Sequence, residues 1–101
     1  MFKLEPNPTF KATVQVTVPG GESQPLPVVF KHMTAKKFAE FLSTAAGKTN
    51  AELVAAMVAE VPGIDKPQAE FFEELFDNYP ASTADLFRTY KRELVESRVK
   101  N

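Results

Sequence analysis

Phe10-Lys11-Ala12-Thr13-Val14-Gln15-Val16-Thr17-Val18 is the stretch that decides the fold. Apolar side chains at 10, 12, 14, 16 and 18 alternate without a break against polar ones at 11, 13, 15 and 17. A period of two sends successive side chains to opposite faces of an extended chain, so this is a strand with one buried face. Pro19-Gly20-Gly21 follows as a turn signal, and a second run, Leu26 to Met33, sets Val28 and Phe30 on one side with Val29 and Lys31 on the other. Pro25 and Pro27 cannot donate to a ladder, so the second strand is expected to begin at Val28 and to leave an edge open. An isolated hairpin is marginal in water. Something has to cover it: the chain's own helices, a copy of itself, or a partner.

Working outward, Pro6 and Pro8 hold the amino-terminal arm extended, and the alternating Phe2 and Leu4 are expected to pin it to the sheet. After Thr34 the period becomes helical. Thr34 is the expected N-cap of a first helix that carries Phe38, Phe41, Leu42 and Ala45 on one face and stops at Gly47. Thr49 with Glu52 has the spacing of a capping box and opens a second helix, apolar nearly all round through Ala59, which is therefore expected at the centre of the molecule. A third helix, Gln68 to Asp77, carries a stripe of Phe71, Phe72, Leu75 and Phe76, with Glu70, Glu73, Glu74 and Asp77 on its solvated face. Tyr79-Pro80 breaks it, and Ser82 with Asp85 suggests another capping box at the start of a fourth helix that runs through Leu86, Phe87, Tyr90 and Leu94. The fold class is thus α+β: an N-terminal antiparallel hairpin and arm (1–33) packed against about four helices (34–101) in a single domain.

The chain has 101 residues, 44% of them hydrophobic, including nine Phe, which is sufficient for one core without disulfides or metal. It has no cysteine, so a disulfide framework and thiolate metal sites are excluded. Twelve basic residues stand against thirteen acidic ones, for a net charge of -1, and no bulk attraction to nucleic acid or to anionic membranes follows. The amino terminus has neither the basic nor the apolar segment of a secretion signal, and the longest uncharged apolar run, Leu53 to Ala59, is far short of a bilayer span. A soluble protein that is not exported is the expectation.

Catalytic equipment is not visible. His32 is the only histidine and reads as a boundary residue satisfied by nearby backbone. Glu73 and Asp77 could in principle work as an acid and base, but Glu70 and Glu74 beside them mark a solvated helix face. Gly20-Gly21 precedes a polar loop and not a helix, so it is a turn and no phosphate cradle. Arg88, Lys91, Arg92 and Arg98 gather on the last helix. They offer the alternative reading, a small nucleic-acid-binding or regulatory module of a mobile element, although mutual neutralisation with the acidic third helix is the expectation.

The order of these pieces resembles the phage tail assembly chaperones. The resemblance is carried by Leu4-Glu5-Pro6-Asn7-Pro8-Thr9-Phe10, the alternating strand, the Pro-Gly-Gly turn, Phe30-Lys31-His32-Met33-Thr34 leading into a helix, the Asp77-Asn78-Tyr79-Pro80 break and the terminal Lys100-Asn101. It implies a non-enzymatic protein without cofactor or metal, made in the host cytoplasm of an infected or lysogenic bacterium. Its implied partners are the tape-measure protein and the tail-tube protein, with self-association open and neither nucleic acid nor membrane involved. For binding the tape-measure protein the expected contact set is Phe72, Phe76 and Phe87 from the helical stripe, with the strand edge at Val28 and Phe30 as a second route by strand addition.

Overall fold

The computed structural model describes residues 2–96. Strand β1 (Thr9–Val16) and strand β2 (Gln24–Lys31) pair antiparallel over their full length, with Phe10 opposite Phe30, Ala12 opposite Val28 and Val14 opposite Leu26. The alternation anticipated for β1 holds: Val14 and Val16 are buried while Lys11, Thr13 and Gln15 are exposed. Val18 lies beyond the ladder as the first residue of the turn, whose Gly21 N–H donates to its carbonyl. Gly20 adopts φ 74°, the left-handed conformation required at the third position of a type II turn after Pro19.

The second strand differs from expectation in a useful way. It begins at Gln24, with Pro25 and Pro27 inside it, opposite Gln15 and Thr13. A third strand, β3 (Val58–Glu60), pairs with β2 only at Val29 and Phe30, making the sheet order β1-β2-β3. The prolines lie on the part of β2 that β3 does not reach, so their missing N–H groups cost no ladder bond there. Ala59 is the extra residue of a bulge between the two pairs. The edge expected to be open at Val28 to Phe30 is therefore partly occupied by the chain's own residues.

Helix α1 (Ala35–Ser43) is capped by Thr34, whose hydroxyl accepts from Lys37 N–H. Its face is less buried than its pattern implies, with Phe38 and Phe41 half-buried and Leu42 exposed. Helix α2 (Asn50–Met57) opens on the anticipated capping box, Thr49 and Glu52 bonding reciprocally, and packs against both helix α3 (Gln68–Asn78) and helix α4 (Ser82–Lys91). It stops at Met57, two residues short of expectation, because Val58 and Ala59 extend into β3. A π-helical turn, Arg92–Glu96, continues α4. The arm does not behave as its pattern implies: Phe2 and Leu4 are exposed, and the arm is tied instead by His32 N–H donating to the Pro8 carbonyl.

The helices cover one face of the sheet and meet it around Val14, Val28, Phe30, Val54, Met57, Phe72, Leu86 and Tyr90, all essentially inaccessible. Two polar ties fix α4 to the strands. The Tyr90 hydroxyl donates to the Lys31 carbonyl at 2.7 Å, and Thr17 N–H donates to Asp85 Oδ2 at 2.7 Å. The capping box expected at Ser82 and Asp85 is absent. Ser82 Oγ donates to the Tyr79 carbonyl, and buried Asp85 serves the strand end and Arg88 instead.

Two outcomes are expected. Asp85→Ala leaves the Thr17 N–H without its charged acceptor and lowers stability by about 2 kcal/mol, read by urea unfolding; an unchanged midpoint would count against the tie. Burial pushes the Tyr90 phenol up to about 12 from its ordinary value of 10.0. The neutral phenol is favoured in the fold, so its contribution is complete below pH 10 and is lost as pH rises from there through about 12. Tyr90→Phe lacks the bond at every pH but loses less stability than the parent across that interval, so unfolding curves of the two at neutral and alkaline pH converge.

Candidate functional site

Helix α3 determines what the molecule presents to its surroundings. At about 100° per residue its apolar positions Phe71, Leu75, Phe72 and Phe76 span an arc of roughly 140°, wider than one contact with the core absorbs. The core takes the middle. Phe72 is completely buried, stacked on Phe76 at 5.8 Å and edge-on to Phe71 at 5.3 Å, while Phe71, Leu75 and Phe76 remain half-buried at the margins. Gln68 fixes the start of the helix by donating to the Val58 carbonyl of β3.

On the Phe71 side the loop after β3 stands away from the helix and leaves a groove of about 370 Å³, floored by Ile64, Phe71, Leu75 and Tyr79. Gly63, Asp65, Lys66, Glu74 and Asn78 complete its walls. A second hollow of about 170 Å³ is lined by Leu75 and Tyr79 again, together with Val16, Val18, Pro25 and Leu26 of the hairpin. Leu75 and Tyr79 line both, so the two hollows adjoin along α3 and together make up a trough between the 63–66 loop and the turn end of the sheet. It is shallow and mostly apolar, with no cluster of metal-binding side chains among the described residues. Lys66 Nζ bonds Glu74 Oε1 at 2.5 Å across its mouth, and that bond, followed by the charges of Glu74, Asp65 and Glu70, holds the ammonium pKa above its ordinary value.

The residues anticipated as contacts are divided by the structure. Phe72, Val28 and Phe30 are interior, with Phe30 pressed on Phe10 and Tyr90, so they have no surface to offer in this fold. For strand addition, β3 already pairs with Val29 and Phe30 and leaves Val28 without a partner on that side. Phe76 and Phe87 keep partial exposure. Sequence reasoning did not single out Ile64, Leu75 and Tyr79 as a site; the signal was an apolar arc on α3 broader than one packing face requires.

The other candidates are also placed. Glu70, Glu73, Glu74 and Asp77 form an exposed acidic face, as expected. The basic residues of α4 do not neutralise it. Arg88 pairs with Asp85, Lys91 with Glu96 and Arg92 with Glu93, because those carboxylates lie within reach on the same helix or its continuation. Arg98 and Lys100 lie outside the described residues. His32 is half-buried and shares a hollow beside α1 with Glu40, but no hydrogen bond or ion pair joins them among the described residues. Thr34 in the same hollow is engaged as an N-cap, and Thr44 donates to the Glu40 carbonyl, so neither is poised as a nucleophile.

The sequence model of one family, described as phage tail assembly chaperone, matches residues 1–101, the entire chain. Among curated proteins and among solved structures no match is found.

The division of the α3 stripe is open to direct measurement. Phe72→Ala empties a filled core position and lowers stability by about 3–5 kcal/mol, a large part of the total expected for a domain of this size. Phe71→Ala and Leu75→Ala, at half-buried positions, cost well under half as much in the same urea titration. Equal losses at all three would place the trough floor inside the core.

Proposed function

The chain belongs to the phage tail assembly chaperone family, and on that premise we propose that it acts without catalysis. In this reading it binds the tape-measure protein in the bacterial host cytoplasm and holds it while tail-tube subunits assemble. The observation that carries the proposal is the trough along α3. Ile64, Phe71, Leu75 and Tyr79 offer an apolar floor at the surface, and Leu75 and Tyr79 also line the hollow at the hairpin end. A tape-measure chain awaiting its tube exposes apolar helical segments, and a helix laid in a groove is a recurrent way to mask such a stripe. A shallow floor suits release, which the incoming tube requires. Among the described residues no helix is long and apolar enough to cross a membrane.

The contact set proposed for this role is Ile64, Phe71, Leu75 and Tyr79, with half-buried Phe76 at the other margin of α3. Purified chain immobilised on a resin is expected to retain the tape-measure protein of the same phage. The paired substitution Phe71→Ala and Leu75→Ala weakens retention roughly tenfold to a hundredfold, the loss of one to two large apolar contacts. Circular dichroism checks that the variant is folded. Failure of the folded parent chain to retain the tape-measure protein overturns the proposal.

A further inference from the structure

The trough has a floor and a rim of different chemistry. Beside the apolar floor stand four exposed carboxylates, Glu70, Glu73, Glu74 and Asp77. Glu74 lines both the trough and the acidic hollow next to it, so apolar and anionic surfaces adjoin without a gap. Asp65 stands on the opposite wall. The chain as a whole carries a net charge of only -1, so this concentration is local. Its one cation among the described lining residues is Lys66, drawn onto Glu74 from the loop across the mouth. An ammonium is already seated where the rim meets the floor.

We infer that the trough accepts a helical segment of the tape-measure protein whose apolar stripe is flanked by Lys and Arg, and that Lys66 occupies the position one of those cations takes. The inference rests on the tape-measure reading above and adds the chemistry of the segment. Apolar side chains spaced i, i+3 and i+7 would lie along Phe71, Leu75 and Tyr79, which themselves rise one turn at a time. Basic residues beside that stripe reach Glu70, Glu74 and Asp77. Complementary charge of this kind sets register and the rate of encounter more than affinity, and it is weakened by salt. The same acidic face disfavours a symmetric contact between the α3 helices of two copies, because like charges would be brought together.

The test uses the full chain and the tape-measure protein of the same phage, intact and as overlapping fragments, with binding measured by titration calorimetry at two salt concentrations. The variant E70Q/E73Q/D77N changes exposed side chains only. It is expected to weaken binding roughly tenfold at low salt and to flatten the salt dependence. Lys66→Ala removes the resident competitor and strengthens binding. The fragments that bind carry Lys or Arg beside an apolar helical stripe, and replacing those residues with Glu abolishes their binding. Equal binding of parent and triple variant at both salts overturns the inference and leaves the tape-measure reading standing. If neither the intact protein nor any fragment binds, the tape-measure reading fails and the inference fails with it. If the parent chain instead self-associates and the triple variant does not, the occupant is a second copy and the inference is overturned.

Discussion

Tyr90 joins α4 to the sheet through both ends of its side chain. The ring lies against Phe10 at 5.9 Å, Phe30 at 5.1 Å and Phe38 at 6.2 Å, touching both long strands and α1, while the hydroxyl donates to the Lys31 carbonyl. A buried phenol without an acceptor would oppose folding, so the hydrogen bond and the aromatic contacts have to form together. Asp85, five residues earlier on α4, holds the opposite end of β1 through Thr17. With two ties of fixed length, α4 has one orientation on the sheet. Helix α2 packs against both α4 and α3.

That arrangement explains why α3 faces outward as it does. The helices cover only one face of a small sheet, with α4 against β1 and α2 against β3. For α3 there remains one full contact, filled by Phe72, and the rest of its apolar arc stays at the surface. The trough follows from the geometry of a narrow sheet covered by helices with wide apolar faces. Partial exposure of Phe71, Leu75 and Tyr79 leaves some burial energy unrealised.

Features set by neighbours a few residues apart were legible in the sequence. The alternation of β1, the Pro19-Gly20 turn, the Thr34 cap and the Thr49 capping box each depend on local spacing, and each is found in the structure. Ser82 and Asp85 had the same spacing as a capping box and did not form one, because Asp85 is engaged by Thr17, 68 residues away. β3 was missed for a related reason. Val58 and Ala59 continue an apolar helical run without interruption, and pairing with β2 at Val29 and Phe30 makes the segment extended. The arm failed in the opposite sense, since alternating Phe2 and Leu4 have no partner surface beside them in the fold.

The sequence by itself determined the α+β class, the order of the two long strands and the four helices, and the apolar faces available to the core, because periodicity and capping act over three or four residues. Tertiary structure alone decided which apolar residues the core would take. Phe71 and Phe72 are adjacent in the chain and identical in chemistry, yet one floors the trough and the other is sealed beneath it. Burial is a property of what stands opposite a side chain, and for α3 that was set by how much room the strands, α2 and α4 had left.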